Sequence, residues 1–332
     1  MSSAVVDADP ILQVKDLQIH FPSRAAGSSV KAVNGVSFDV HRGETLGVIG
    51  ESGSGKTTLG RALVSLIQPS AGAILQDRVD PATLSAKALR SHRRDYQIVF
   101  QDPNAALDPR MRVLDSVMEP LRIAGGMDRR AMEQAALDAL ARVGLSPEHA
   151  RRYPHQFSGG QKQRIVIARA LTLRPKMLVC DEVVAALDVS IRGEILNLFA
   201  QLQREFSLSC VFITHDLSVV SHISDRIAVM YLGCLMELGA AEVVGERPLH
   251  PYTRALLSAE PVPLPSHMRR TTRIVLEGEV PSPVDPPSGC PFRTRCAHAV
   301  PHCAAERPRW REVRPSHWIA CHRVDADGEF TN

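Results

Sequence analysis

The sequence predicts an α/β fold built on a mostly parallel, helix-covered sheet, and three observations carry that expectation. Short apolar runs rich in β-branched residues recur along the 332 residues. Segments with apolar residues at helical spacing separate them. One run, Thr45 to Ile49, passes directly into a glycine-rich turn and then a helical pattern, a strand–loop–helix unit. Strands separated by helices imply parallel pairing with covered faces. The length, with 44% hydrophobic residues, suits one large domain plus an appendage.

In order, Ile11 to Phe21 and Val36 to Val40 read as strands, with a loop signal at Gly27-Ser28-Ser29 between them. Thr58 to Ile67 is the helix after the glycine-rich turn, and Tyr96 to Phe100 is a strand. The pattern then turns helical over Leu107 to Arg122 and Arg130 to Val143, breaks at Pro154, and resumes from Gln161 to Leu173. We read residues 102–172 as a helical subdomain. Met177 to Cys180 is a buried strand, followed by a helix with Ile191, Ile195, Leu198 and Leu202 on its apolar face. Cys210 to Thr214 and Ile227 to Met230 are further strands. Beyond Glu246 prolines multiply, and Pro261 to Pro287 reads as a linker crossing a surface. The boundaries expected are 1–245 for the main domain and 246–332 for a C-terminal extension.

A net charge of +3 with mixed signs decides nothing about a nucleic-acid partner. The first ten residues lack the basic start and apolar core of a secretory signal. No uncharged apolar stretch is long enough to span a bilayer, so a membrane role requires a partner. There is no internal repeat and no heptad pattern. Of seven cysteines, Cys180, Cys210 and Cys234 sit in apolar runs and read as buried thiols. Cys290, Cys296, Cys303 and Cys321 crowd into the last 43 residues, which in a cytosolic chain points to metal rather than disulfides.

The chemistry lies in three segments. Gly50-Glu51-Ser52-Gly53-Ser54-Gly55-Lys56-Thr57-Thr58 fits G-x-x-x-x-G-K-[ST]. Its glycines let backbone N–H groups turn inward around phosphate oxygens, and the helix that follows presents its positive end to the same anion. Lys56 is expected to reach the β and γ phosphates and the Thr57 hydroxyl to coordinate Mg²⁺. Asp181, ending a buried strand, is expected to hold the Mg²⁺ shell, with Glu182 polarising the attacking water. Ser158-Gly159-Gly160-Gln161 opens a helix and offers a second anion site. Two half-sites in one chain are explained by a head-to-tail dimer, each ATP lying between one chain's P-loop and the other's Ser158 segment.

This set resembles the ABC transporter ATPase family over about Leu12 to Leu238: the P-loop, Gln101, Ser158 to Gln161, Asp181-Glu182, Ala186-Leu187-Asp188 and His215, in that order. The resemblance implies a P-loop NTPase core of ABC type with an antiparallel β portion and a helical subdomain. It implies that Gln101 senses Mg²⁺ and couples to membrane subunits, Asp188 lies at the dimer interface, and His215 contacts the γ phosphate. Phe21 is the candidate to stack on adenine, a core position being the other reading. Val183-Val184-Ala185 depart from the Pro-Thr-Ser that similar subunits carry there, removing a fixed φ and two hydroxyls and putting D-loop geometry and speed in question.

His250 to Leu257, Gly278 to Pro283, Gly289 to Cys296 and Phe100 to Pro109 are similar to the oligopeptide and dipeptide importer subfamily. The resemblance implies an ATP-hydrolysing subunit energising peptide import, peripheral on the cytoplasmic side of the bacterial membrane. It implies as partners a second ABC ATPase chain, the same or different, two integral-membrane permeases, and indirectly an extracytoplasmic peptide-binding protein, with no nucleic acid. The alternatives are a nickel or glutathione importer subunit and a slow or degenerate partner subunit. The tail cysteines are spaced C-x5-C, C-x6-C and C-x17-C, wider than the tight pairs usual at zinc. A 4Fe–4S cluster held by Cys290, Cys296, Cys303 and Cys321 is expected, as similar subunits also imply, with zinc as the alternative. Arg293, Arg295 and Arg307 are expected to offset the thiolate charge.

Overall fold

The computed structural model describes residues 9–23, 28–185, 187–259 and 274–331. The first half runs β1 (Leu12–Pro22), β2 (Ser29–Val40), β3 (Thr45–Ile49), α1 (Lys56–Leu63), β4 (Ala71–Gln76), α2 (Ala86–His92) and β5 (Tyr96–Val99). Helices α3 (Pro103–Ala106), α4 (Val113–Ala124), α5 (Arg129–Arg142) and α6 (Gly159–Leu171) follow. Then come β6 (Met177–Asp181), α7 (Val189–Phe206), β7 (Ser209–Ile213), α8 (Leu217–Ile223), β8 (Arg226–Tyr231) and β9 (Cys234–Ala240). The chain continues through α9 (Ala241–Glu246), α10 (Pro251–Ala259), α11 (Pro301–Ala305), β10 (Arg311–Arg314) and β11 (His317–Ile319).

Eight strands form the main sheet in the order β10-β11-β9-β8-β3-β7-β6-β5. The five from β8 to β5 pair in parallel, while β9, β11 and β10 add antiparallel at one edge. Strands β3, β6 and β7 are buried at every position, which explains their unbroken apolar sequences: helices or a second sheet cover both faces. On one face, α4, α5, α6 and α7 enclose a core with Val117, Leu140, Ile165 and Phe199. On the other, the antiparallel sheet β2-β1-β4 packs Leu17, Ile19, Val33 and Val36 against Val48, Leu59 and Val179.

Several elements differ from the sequence expectations. The helix expected from Leu107 begins at Val113, because Pro109 drives the preceding residue out of helical backbone and Asp108 instead caps the Arg110 N–H at 2.8 Å. Strand β2 starts at Ser29, well before Val36, its partner being β1 along its length. Strand β4 was not expected from its Ala-Gly-Ala start. Gly72 there has φ +79°, and a Cβ would lie 2.3 Å from the Asp16 carbonyl oxygen, so glycine alone fits. Strand β9 closes a hairpin with β8 through Leu232 and Gly233, both at positive φ, a primed turn without the usual Asn-Gly signal.

The C-terminal extension is continuous with the main sheet, since β11 pairs with β9 at Trp318↔Leu238 and Ile319↔Glu237. Glu237 is wholly buried in β9 and accepts from the Leu249 and His250 N–H groups at 2.8 and 3.0 Å. Its ring partner is His317 of β11, with Nε2 at 2.8 Å. One buried carboxylate thus ties β9, the start of α10 and β11 together. Of the surface linker expected over Pro261 to Pro287, residues 261–273 lie outside the described residues, and 274–287 carry no helix or strand.

Candidate nucleotide site

The chemistry gathers at the carboxyl ends of adjacent parallel strands, where ligands bind in open α/β sheets. Strand β3 leads into Gly50–Gly55, β6 ends at Asp181, and β7 leads to Thr214 and His215. The loop is pressed against its surroundings. Gly50 has φ +154°, with a virtual Cβ 2.1 Å from the Met230 carbonyl oxygen, and Gly55 has φ +99°, with one 2.0 Å from the Ala32 oxygen. A side chain at either position would break the loop. Gly55 caps α1 without a side-chain acceptor, which leaves the first helical amides open to an anion.

Lys56 is buried, and its Nζ donates to the carbonyls of Gly50 and Glu51 at 2.7 and 2.8 Å and to Ser54 Oγ at 3.3 Å. Burial pushes its pKa down, while the carboxylates of Glu182, Asp181 and Glu51 push it up. Thr57 Oγ1 donates to Asp181 Oδ1 at 3.1 Å. Asp181 is only 4% exposed, and burial raises its pKa against the lowering effect of the Thr57 hydroxyl. This pair of adjacent hard oxygen donors suits Mg²⁺.

Glu182 follows with φ +50°, an uncommon backbone for a residue with a side chain and of the kind that clusters at functional sites. The strain is held by its N–H donating to the Ile213 carbonyl at 2.9 Å. Its Oε1 lies 3.3 Å from His215 Nδ1, so two of the three expected catalytic side chains, Lys56 being the third, touch. Val183 and Val184 are each 1% exposed and pack in the core beneath the helical subdomain. The apolar departures from the family pattern therefore face inward. The D-loop is held instead by Arg192, which donates to the Leu187 carbonyl at 2.8 Å and the Ala185 carbonyl at 3.3 Å, and pairs with Asp216 at 3.5 Å. Ala186 lies outside the described residues. Asp188 is exposed as the N-cap residue of α7.

Other expected residues stand apart from this group. Gln101 is exposed, two residues beyond β5. Phe21 is 38% exposed near the end of β1, so it is not a core residue. Ser158 caps α6 in a capping box with Gln161, at 3.3 and 3.1 Å. Gly160 is fixed by packing, a Cβ there lying 2.6 Å from Ile191. Helix α6 packs on α3, α4, α5, α7 and β5, whereas α1 packs on β2, β6 and β7. The two helix starts expected to bind anions thus belong to different parts of the fold of one chain.

Two residues at this loop were missed in the sequence. Arg295 forms a two-pronged ion pair with Glu51, at 2.6 and 3.2 Å, and Tyr252 Oη accepts the Glu51 N–H at 2.9 Å. Both come from the C-terminal extension, Arg295 being 244 residues away in sequence. No local pattern signals such a contact.

None of the seven cysteines forms a disulfide. Cys290, Cys303 and Cys321 are buried and Cys296 is partly so; the Cys290 N–H donates to the Cys303 carbonyl at 2.7 Å. Burial pushes the Cys290 thiol up to about 12 and Cys321 to about 11, and the charges of the neighbouring cysteines push the same way. Burial and Cys303 likewise raise Cys296. The four form one electrostatic group, yet among the described residues no three His, Cys, Asp or Glu side chains are disposed to hold a metal ion. The arginines expected to offset them are engaged elsewhere. Arg293 bonds Ser288, Arg295 bonds Glu51, and Arg307 reaches the Asn34 carbonyl and Cys234 Sγ. Arg323 acts on Cys296 and Arg311 on Cys321 instead.

Known proteins resemble the chain along nearly all of it. The ABC transporter family model matches residues 33–185, and the model for the oligopeptide/dipeptide transporter C-terminal region matches residues 236–303. A putative peptide import ATP-binding protein of Brucella ovis is 51% identical over 314 residues, covering 95% of this chain and 98% of that one. The oligopeptide transport ATP-binding protein OppF of Salmonella typhimurium is 46% identical over 333 residues, covering 98% and 99%. A dimeric post-hydrolysis structure of the ATP-binding cassette MJ0796 with ADP and phosphate is similar with a TM-score of 0.63 and 29% identity, over 69% of this chain and 98% of that one. The structure of cbiO1 of Clostridium perfringens, part of the ABC transporter complex cbiONQ, gives a TM-score of 0.64 at 30% identity, over 73% and 93%. With its P-loop fold, its strand-end carboxylates and relatives matching from end to end, the chain belongs to the ABC transporter ATPases, in the branch of the oligopeptide and dipeptide transport ATP-binding proteins.

Proposed function

We propose that this chain is the ATP-hydrolysing subunit of a bacterial peptide importer, peripheral on the cytoplasmic side of the membrane. The observation that carries the reading is the meeting of Lys56, Thr57, Asp181, Glu182 and His215 at the ends of β3, β6 and β7, with Thr57–Asp181 at 3.1 Å and Glu182–His215 at 3.3 Å. Residues Gly50 to Thr58 bind the phosphates through backbone N–H groups and the Lys56 ammonium, which leaves its carbonyl partners for the phosphate oxygens. Thr57, Asp181 and Gln101 hold Mg²⁺, which when bound neutralises phosphate charge. Glu182 orients the attacking water, and His215 contacts the γ phosphate. Phe21 stacks on adenine.

Ser158, Gly159, Gly160 and Gln161 act on the nucleotide of a second ATPase chain, and Asp188 lies between the two chains. The separation of α6 from α1 within one chain supports this exchange. Residues 1–245 form the ATPase domain with its helical subdomain, and 246–332 the extension. A groove of about 400 Å³ lined by Leu66, Phe100, Ile123 and Val166 adjoins Gln101 and suits a permease segment. Among the described residues no helix is long and apolar enough to cross a membrane. The transport path belongs to two permease partners fed by a peptide-binding protein.

Cys290, Cys296, Cys303 and Cys321 fit a 4Fe–4S cluster better than zinc. The spacings C-x5-C, C-x6-C and C-x17-C are wider than the tight pairs usual at zinc, and four thiolates are what a 4Fe–4S cubane requires. Tagged full-length chain drawn from its native membranes should bring down two integral-membrane chains and an ATPase partner. Recovery without membrane companions would count against the importer reading. Anaerobically purified chain should be brown, with about four irons per chain. Colourless chain with about one zinc would decide for the alternative.

A further inference from the structure

An acidic residue inside an anion-binding loop is a physical conflict, and the fold resolves it from a distance. Glu51 is the second residue of the P-loop, and its charge acts on Lys56, the cation meant for phosphate. A freely turning Glu51 carboxylate would compete with phosphate for Lys56 and repel the nucleotide. Here both Glu51 oxygens are taken by Arg295, at 2.6 and 3.2 Å, in the two-pronged geometry that fixes a carboxylate in direction as well as charge. The Glu51 N–H is taken at the same time by Tyr252 Oη at 2.9 Å.

The clamp is rigid. The Arg295 side chain is 8% exposed against 26% for Glu51. Its guanidinium lies over the Tyr231 ring, 5.9 Å from the centroid. Tyr231, Tyr252 and Phe292 pack as three mutually touching rings, with centroids 4.8, 5.3 and 5.2 Å apart, and all three are buried. Tyr231 belongs to β8, Tyr252 to α10, and Phe292 and Arg295 to the cysteine-bearing segment. The extension is therefore built against the P-loop through a fixed aromatic base.

We propose that Arg295 is a positioning residue for ATP binding, which neutralises Glu51 and turns it away from Lys56 so that the P-loop stays open to the triphosphate. Tyr252 assists by fixing the Glu51 peptide. The extension thereby sets nucleotide affinity in addition to any role at its cysteines, and Cys296, adjacent to Arg295, places the thiol group and the clamp on one turn of chain. The inference rests on the reading of Gly50 to Thr58 as the ATP phosphate loop.

The test is a charge cycle in the full-length chain, read as the Kd for a fluorescent ATP analogue and as KM and kcat for ATP. Arg295→Gln should raise KM about tenfold, a change of about 1.4 kcal/mol, with kcat changed less than about twofold. Arg295→Lys keeps the charge and loses the fork, so its rise should stay within about threefold. Adding Glu51→Gln to Arg295→Gln removes the uncompensated carboxylate and should recover most of the lost affinity. A double variant as weak as Arg295→Gln would make the clamp structural and overturn the proposal. So would equal weakening by the Lys and Gln variants. If Arg295→Gln fails to fold, the folded Arg295→Lys decides: weakening beyond tenfold contradicts a charge role. Lys56→Ala separates the two readings, because a chain that binds ATP without Lys56 refutes the P-loop reading itself rather than the clamp.

Discussion

Two regions of the main sheet, the rim at the carboxyl ends of its central parallel strands (the nucleotide edge) and the antiparallel β9–β11–β10 side, are built by opposite strategies. At the nucleotide edge, each functional residue follows a buried strand by a few positions, and parallel pairing of β3, β6 and β7 brings their ends together. At the β9–β11 edge, β10 and β11 are short, and the structure is held by ties between residues far apart in sequence. Glu237 meets His317 across 80 residues, Arg307 meets the Asn34 carbonyl across 273, and Arg295 meets Glu51 across 244. The first edge places chemistry by backbone register. The second fastens an extension onto that chemistry with single side chains. Substitutions at the first edge should therefore alter ATP handling with the fold intact, while those at the second should alter stability or the loop it braces.

The largest effect expected is at the nucleotide edge. Lys56→Ala removes the only side-chain cation buried in the P-loop and should weaken ATP binding by more than about a hundredfold, about 2.7 kcal/mol. Its thermal unfolding should stay close to that of the unchanged chain, as differential scanning fluorimetry without nucleotide would show. A large loss of stability would mean that Lys56 supports the fold as well as the phosphate, and the contrast would fail.

A smaller effect is expected at the D-loop, which sits on the nucleotide edge but is braced from the side. Val183 and Val184 are core residues here, and Arg192 supplies the hydrogen bonds that hold the loop. Arg192→Ala should lower turnover about threefold, roughly 0.7 kcal/mol in the barrier, with ATP affinity changed less than twofold. Unchanged turnover would show that the valines alone fix the loop.

The smallest effect is a pH dependence at the extension. Burial lowers the His250 pKa from 6.5 to about 4, against the raising effect of Glu237. Between those values the unfolded chain binds a proton that the folded chain does not, so stability is full above about 6.5 and falls as pH drops toward 4. The His250 Nδ1 accepts the Tyr252 N–H at 3.0 Å, a bond an asparagine oxygen can replace. The melting temperature should fall between pH 7 and pH 5 by on the order of 3 °C more in the unchanged chain than in His250→Asn. Parallel curves would remove His250 from the account.

The same contrast explains what could be read from the residues alone. The strand–turn–helix at Thr45 to Leu63, the buried strand before Asp181 and the strand before His215 are local patterns, and each lies within a few residues of its expected place. Strand β4 was hidden because its glycine and alanines lack β-branching, and β9 because its turn uses Leu232-Gly233. Hairpin β10–β11 was hidden because four and three residues carry no periodicity of their own; they are strands because β9 offers them an edge. Among site residues, motifs marked the phosphate loop and the carboxylates. Arg192, Tyr252 and Arg295 emerge only from the three-dimensional arrangement. Arg295 was even expected at the cysteines, a reading that adjacency in sequence favoured and the Glu51 ion pair corrects.

We propose that Glu182, strained at φ +50° and touching His215, drives hydrolysis of ATP held by the P-loop. The most direct measurement is ATP turnover, with the nucleotide retained per chain, for Glu182→Gln assembled with its partners. The substitution keeps size and hydrogen bonding and removes the carboxylate. Hydrolysis should fall at least tenfold, a barrier increase of about 1.4 kcal/mol, while ATP stays bound and the closed dimer accumulates. Turnover equal to that of the unchanged complex would contradict the assignment.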